Sequence, residues 1–200
     1  MRKSIPMVSA ALLLSAGLVP AADAFTLSVV PQAATVNVGG TVSVDVVASD
    51  LVGGGAPSLG AYDLELSFDS AVLSFSSIAF GTGLSVTGVP SIIQAFDLGV
   101  GFVNPFESSF EETADLNALQ PDAFTLFTIT FNADQVGTSL LTLSVNSLGD
   151  APGGSLTADA LDGASVSVGG ASPVPLPAAA WLLLTGVAGV SSLVRRRRGG

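Results

Sequence analysis

The side chains of this protein that could act as acids or bases are almost all carboxylates. The sequence holds 16 Asp and Glu residues, no His, no Cys and a single tyrosine, Tyr62. General acid–base chemistry would therefore depend on carboxylates or on Tyr62. The absence of Cys excludes a disulfide framework, a thiolate nucleophile and cysteine-ligated zinc, and the absence of His disfavours transition-metal sites.

One pair of carboxylates has a spacing that could suit the hydrolysis of a glycosidic bond. Asp63 and Glu65 are two residues apart in an alternating segment, so they share the polar face of one strand, about 7 Å apart by strand rise. No basic or cationic group stands near them in the sequence to separate their pKa values. Two solvated strand residues are therefore the favoured interpretation, and no catalytic residue is assigned.

Two groups of acidic residues are dense enough to suggest a Ca²⁺ site, since Ca²⁺ takes carboxylate and carbonyl oxygens. They are Glu107, Glu111, Glu112 and Asp115, and Asp150, Asp159 and Asp162. Neither group has the spacing of an EF-hand loop or of a calcium-binding repeat. Solvated surface is the favoured interpretation for both, so we predict no cofactor and keep Ca²⁺ as an alternative.

Charge is divided sharply along the chain. All acidic residues lie between Asp23 and Asp162, and all six basic residues lie outside that interval, at Arg2, Lys3 and Arg195–Arg198. The body of the chain therefore cannot form a side-chain ion pair. Its negative charge repels polyanions, which excludes nucleic acid as a partner, and it suits divalent cations or basic partners better.

The N-terminal segment has the features of a secretory signal peptide. Arg2 and Lys3 precede an apolar stretch from about Met7 to Val19, and Ala22-Asp23-Ala24 fits the small-residue pattern before a cleavage point. We predict a signal peptide over residues 1–24, cleaved after Ala24. The protein would then be exported through the Sec machinery.

The C-terminal segment is a second apolar stretch with different flanks. Ala178–Val194 is uncharged, and as a helix it would span about 26 Å, within the range of transmembrane lengths. Arg195, Arg196, Arg197 and Arg198 follow it and would stop transfer on the cytoplasmic side. This arrangement predicts a transmembrane helix over 178–194, with the acidic body on the far side of the membrane.

The residues before this helix carry a short motif. Val174-Pro175-Leu176-Pro177-Ala178, the apolar helix and the arginine cluster together resemble the PEP-CTERM class of bacterial sorting signals, in its VPLPA variant. The resemblance implies recognition by an exosortase of a Gram-negative bacterium and removal of the tail. The body would lie transiently in the periplasm on an inner-membrane intermediate, then at the cell surface or in an exopolysaccharide matrix. Leu176 stands where the best-known form has Glu, which bears on the exosortase subtype. A simple permanent anchor is the alternative.

The body reads as β-structure nearly throughout, with apolar and polar residues alternating at period two. The strongest predicted strands are Thr41–Val46, Tyr62–Phe68, Phe127–Phe131, Leu141–Val145 and Ala164–Val168. Many short strands with one apolar face predict two packed antiparallel sheets, with phenylalanines and Tyr62 supplying much of the core. Glu107–Gln120 breaks the pattern and predicts a loop and short helix, in which Ser108 and Glu111 have capping-box spacing.

The body also resembles a known family of sandwiches. Tyr62–Phe75, Phe124–Phe131 and Gly137–Leu143 look like strands of cohesin domains, and the similarity spans roughly residues 26–168. It implies a nine-stranded, jelly-roll-like sandwich that binds dockerins or other ligands and is not catalytic. The chain has no dockerin-like calcium repeats of its own, so the resemblance alone does not assign a dockerin partner.

These observations predict four parts: a signal peptide (1–24), a cohesin-like all-β sandwich (25–168), a linker (169–173) and a sorting signal (174–200). The predicted function is an exported surface or extracellular-matrix protein with a non-catalytic binding or structural domain, whose ligand is an exopolysaccharide or a surface protein. The alternatives are a permanently anchored adhesion or scaffolding protein, a Ca²⁺-dependent carbohydrate-binding module and, last, a carboxylate-dependent glycosidase.

Overall fold

The computed structural model describes residues 25–51, 57–88 and 92–170. The predicted signal peptide with Ala22 and Ala24, the VPLPA motif, the apolar segment 178–194 and Arg195–Arg198 lie outside the described residues. Within the described part of the chain, no helix is both long enough and apolar enough to span a bilayer.

The described residues form eleven strands and one short helix. These are β1 (Phe25–Pro31), β2 (Thr35–Asn37), β3 (Thr41–Ser49), β4 (Leu59–Ser67), β5 (Leu73–Phe80), β6 (Ile92–Gly99), β7 (Phe102–Ser109), α1 (Thr113–Leu119), β8 (Phe124–Ala133), β9 (Gly137–Asp150), β10 (Ala158–Asp162) and β11 (Ala164–Gly169).

The strands make two sheets that pack face to face. The five-stranded sheet has the order β10-β1-β3-β8-β5, and the six-stranded sheet has the order β2-β11-β9-β4-β7-β6. The predicted two-sheet sandwich is thus confirmed. Two pairings at the sheet edges, β1 with β10 and β2 with β11, are parallel, so the sheets are mixed rather than purely antiparallel. Alternation could not show this, because it reports which face a side chain occupies and not the direction of the neighbouring strand.

The alternating residues form the core, as expected. Val42, Val44 and Val46 of β3 are buried, while the hydroxyl and carboxyl residues between them lie on the solvent side of the five-stranded sheet. Tyr62, Phe127 and Phe131 are the largest fully buried side chains. The aromatic prediction holds in part, because some phenylalanines stay outside the core. Phe96 and Phe110 are 41% and 62% exposed.

The segment Glu107–Gln120 differs from its prediction at its N-terminal end. Residues 107–109 belong to β7, and the helix begins only after Glu112, which adopts an extended N-cap conformation without a side-chain cap. Ser108 and Glu111 therefore do not form a capping box. The neighbouring Ser109 instead donates its hydroxyl proton to the Leu84 carbonyl and accepts the Glu111 backbone N–H.

The short helix closes one end of the sandwich. Leu116 and Gln120 are buried, whereas Leu119 is exposed. The Gln120 amide accepts the Leu59 backbone N–H at 2.7 Å and donates to the carbonyls of Leu59 and Gly83 at 2.9 and 3.0 Å. The side chain thereby satisfies backbone groups that would otherwise be unpaired in the interior. Within the described residues one contiguous core extends from Phe25 to Val168, so this part has the core of a domain that can fold by itself.

Candidate binding face

The outer face of the six-stranded sheet carries the carboxylate pair that the sequence singled out. Tyr62, Leu64 and Leu66 of β4 are fully buried, so Asp63 and Glu65 between them lie on the opposite, outer face. The pairing of β4 with β7 and β9 places polar and aromatic residues of those strands beside them. We call this surface, centred on β4, β7 and β9, the outer face.

Asp63 is held in position by two asparagine side chains. The Nδ2 groups of Asn104 and Asn146 donate to Asp63 Oδ1 at 2.7 and 2.9 Å, and Asn104 also donates to the Leu64 carbonyl at 2.5 Å. Among the described residues Oδ2 accepts no hydrogen bond. The carboxylate is therefore fixed by neutral donors and keeps one oxygen for an external donor.

A β-bulge brings Asn146 to this position. Asp63 pairs with Ser147 and Leu64 pairs with Val145, so Asn146 is the extra residue of β9. A bulge bends its strand and re-aims the extra side chain. Here the re-aimed amide points at Asp63, 83 residues away in sequence.

The geometry of Asp63 and Glu65 favours a positioning role over acid–base catalysis. Asp63 is committed to the two asparagines, and Glu65 Oε1 accepts only the Ser67 hydroxyl, at 3.4 Å. In the described part of the chain, neither carboxylate lines the shallow grooves of about 370–460 Å³ beside β2, β10 and the end of β5. The arrangement gives the glycosidase alternative no support.

Apolar side chains share the outer face with the carboxylates. Phe106 of β7 is half-buried directly beside Asp63, Phe102 is half-buried beside Ser67, and Ile93 of β6 is 51% exposed one strand further out. Leu140 of β9 is 70% exposed on the same face, but it lies two residues beyond Thr142, the partner of Ser67, at the far end of β4 from Asp63. A partly apolar, partly acidic and pre-ordered surface is typical of a protein-docking site.

The two acidic groups considered for Ca²⁺ are separated in the fold. Glu107 is buried on the inner side of β7, whereas Glu111 accepts the backbone N–H and the hydroxyl of Thr87. Asp150 lies at the end of β9 and accepts the Gly154 N–H, while Asp159 and Asp162 lie on β10 in the other sheet. Across residues 25–51, 57–88 and 92–170, no three His, Cys, Asp or Glu residues gather in a way that could hold a metal ion.

Sequence reasoning missed a buried polar group between the sheets. Glu107 is 1% exposed; its Oε2 accepts the Tyr62 hydroxyl at 2.8 Å and its Oε1 accepts Gln94 Nε2 at 2.9 Å. The Tyr62 hydroxyl also lies 3.2 Å from the Leu126 carbonyl of the other sheet. Burial raises the pKa of Glu107, although the hydrogen bonds from Gln94 and Tyr62 oppose it. Burial, and secondarily the neighbouring Glu107, raises the pKa of Tyr62.

A neutral Glu107 fits the hydrogen bonds of this group. The Leu126 carbonyl already accepts the Gly81 backbone N–H at 2.7 Å, so only Glu107 Oε2 needs the Tyr62 proton when the carboxylate is ionised. A protonated Glu107 can donate to the Tyr62 oxygen, and Tyr62 can then donate a second hydrogen bond to the Leu126 carbonyl. Both protonation states therefore leave every acceptor paired, and burial favours the neutral one. The alternation of β7 places Glu107 inward with Val103, and this position in the strand pattern was the only available signal.

No family model and no curated protein match the chain. Solved structures of cohesin domains do match it. A cohesin of Clostridium acetobutylicum is 21% identical, with a TM-score of 0.56 over 76% of this chain and 96% of that one. A non-cellulosomal cohesin of Archaeoglobus fulgidus is 18% identical, with a TM-score of 0.54 over 73% of this chain and 91% of that one. The sixth cohesin of Acetivibrio cellulolyticus scaffoldin B, solved in complex with a dockerin, is 16% identical, with a TM-score of 0.57 over 73% of this chain and 99% of that one. The body therefore has a cohesin-like fold, as the sequence resemblance implied.

Proposed function

We propose that the protein is an exported, non-catalytic binding module that docks a protein partner on its outer face. The observation that carries this proposal is the fixed position of Asp63, which two asparagine amides hold beside the half-buried Phe106, on a face that also exposes Ile93 and Leu140. A docking site gains from such pre-ordering because less side-chain entropy is lost on binding.

The partner's contact surface is basic. Residues 25–170 hold fifteen carboxyl groups, all the acidic residues except Asp23, and no Lys, Arg or His. An arginine or lysine of the partner would reach Asp63 Oδ2 and Glu65 without competing with a cation of this chain. Two further observations support a protein rather than a glycan: the exposed aliphatic side chains of Leu140 and Ile93 on this face, and the structural similarity to a cohesin solved with a dockerin.

The ends of the chain support export and sorting. The signal peptide over 1–24 directs the chain to the Sec machinery, and the VPLPA motif with its apolar segment and arginines directs it to an exosortase. The body then reaches the cell surface or the extracellular matrix. Mass spectrometry of the mature C-terminus tests this step. Loss of Arg195–Arg198 is expected, and their retention would favour a permanent anchor.

The docking proposal is tested by capture from the surface fraction of the source cells with the immobilised 25–170 domain. Leu140→Lys should lose a protein that the wild type retains. Val30→Lys is the matched control, because Val30 is also an exposed aliphatic residue, at 46%, but lies on the outer side of the other sheet. Equal capture by both variants, or capture of polysaccharide alone, would overturn the proposal.

A further inference from the structure

Among the described strands four lie at sheet edges, and three of these are protected. β2 and β10 have only three and five residues, and β5 is interrupted by a register shift between Phe75 and Ser77. β6 is different: it has eight residues and pairs with β7 in unbroken register from Ile92 to Gly99. Its other side has no strand partner among the described residues. Such an edge presents a row of unpaired backbone donors and acceptors.

The edge is apolar and held in a fixed shape. Phe96 and Leu98 of β6 are 41% and 52% exposed, and Val100 follows them at 91%. The Phe96 ring packs against Phe75 of the opposite sheet, with ring centroids 5.6 Å apart. This contact ties the exposed strand to the rest of the sandwich, so its backbone is already extended for pairing.

The edge also lies in the least charged part of the domain. Residues 70–96 contain no charged side chain, and β6 carries only Asp97, although the domain holds fifteen carboxyl groups. Sheet edges in monomeric proteins are commonly protected by Lys, Pro or inward-pointing charges. β6 has no Lys, no Pro and no inward-pointing charge, and its single charged side chain, Asp97, lies on the outer side of the sheet. Two acidic copies of this domain would repel each other least where these edges meet, because each edge contributes only one carboxylate, Asp97.

We propose that β6 pairs antiparallel with β6 of a second copy, which joins two six-stranded sheets across a two-fold axis. The axis must be perpendicular to the sheet, so outer-face residues meet outer-face residues. Axes at Ala95 and at Phe96 both meet this condition. The axis at Ala95 places Asp97 opposite Ile93 of the second copy, and the axis at Phe96 places Asp97 opposite Ala95. Neither axis pairs Asp97 with Asp97 of the second copy. A basic partner would find only one carboxylate, Asp97, on this edge, whereas an identical edge offers the same row of backbone groups and the exposed Phe96 and Leu98.

The mass of the isolated 25–170 domain tests the proposal. Light scattering across a concentration series should show a dimer, and raising NaCl from about 0.05 to about 0.5 M should strengthen it by screening the carboxylates. Leu98→Lys should weaken the dimer about tenfold or more. Leu140→Lys, a matched exposed leucine on the outer face, should leave it unchanged. Circular dichroism checks that both variants fold.

Cysteine cross-linking identifies the register, because the chain has no native Cys. Oxidised Ala95→Cys should form a disulfide-linked dimer by itself if the axis passes through Ala95. If the axis passes through Phe96, Ala95→Cys should form a disulfide-linked dimer only when it is mixed with Asp97→Cys. A monomer at all concentrations would overturn the proposal, and so would a dimer that neither cross-link captures. The docking of a partner at Leu140 is a separate result and is unaffected by either outcome.

Discussion

Replacing Glu107 by glutamine should stabilise the domain, and more so as pH rises. The glutamine can accept from Gln94 through its oxygen and donate to Tyr62 through its amide, so Tyr62 can donate to Leu126. These are the bonds that a protonated Glu107 makes. Glu107→Gln therefore copies the neutral state of the buried carboxyl at every pH.

The sign of the effect follows from the direction of the pKa shift. Burial raises the pKa of folded Glu107 above its ordinary value of 4.5, so above pH 4.5 the folded state binds more protons than the unfolded state. The stability of the wild type then falls as pH rises from 4.5 through the raised pKa. Below pH 4.5 the wild type and Glu107→Gln should unfold with the same free energy.

The size of the effect is limited by linkage. One proton contributes at most about 1.4 kcal/mol per pH unit, so two pH units above 4.5 the advantage of Glu107→Gln is at most about 2.7 kcal/mol. A difference of about 2 kcal/mol corresponds to about 4–8 °C in melting temperature for a domain of this size.

Urea unfolding of the 25–170 domain between about pH 4 and pH 8 measures the difference. The control is Asp159→Asn, which removes one carboxyl group from an exposed position. This control separates the effect of the proton on Glu107 from the effect of removing one negative charge from a domain whose carboxylates repel one another. The curve for Asp159→Asn should run parallel to that of the wild type, whereas the curve for Glu107→Gln should diverge from it. Three parallel curves would refute a proton held at Glu107.

Three further predictions concern the core and the charge of the domain. Tyr62→Phe should cost about 1–3 kcal/mol in urea unfolding, because it leaves the buried Glu107 Oε2 without its hydrogen-bond partner, and a neutral result would contradict the assigned hydrogen bond. Phe131→Ala should cost about 3–5 kcal/mol, because the ring is fully buried against Phe68, and a cost below about 1 kcal/mol would show that the site is not packed as described. Added NaCl should raise the melting temperature, because carboxylates without cationic neighbours repel one another, and a fall in scanning calorimetry would contradict this.

Strands whose buried residues are all apolar could be predicted from the sequence. In β3 and β8, Val, Ile and Phe alternate with Ser, Thr and Asp, and the buried residues are the expected ones. β7 inverts this polarity: Phe102 and Phe106 lie on the outer face and Glu107 lies inside. A strand with aromatic residues outside and a carboxyl group inside cannot be recognised by alternation. β7 was therefore not predicted, and its last residues, 107–109, were assigned to the predicted loop and short helix.

The candidate site was predicted only in part for a related reason. Asp63 and Glu65 were correctly placed on one polar strand face. The partners of Asp63 were not predictable, because Asn104 and Asn146 come from two other strands and Asn146 reaches it only through a bulge. A bulge is a property of the register between distant strands, and neither strand shows it alone.

Site-specific photo-cross-linking in the source cells tests the docking claim most directly. A photo-reactive amino acid placed at Leu140 should give a covalent adduct with a protein, and the same amino acid at Val30 should give none. Adducts at Val30 but not at Leu140, or polysaccharide as the sole product at Leu140, would contradict a protein-docking role for the outer face.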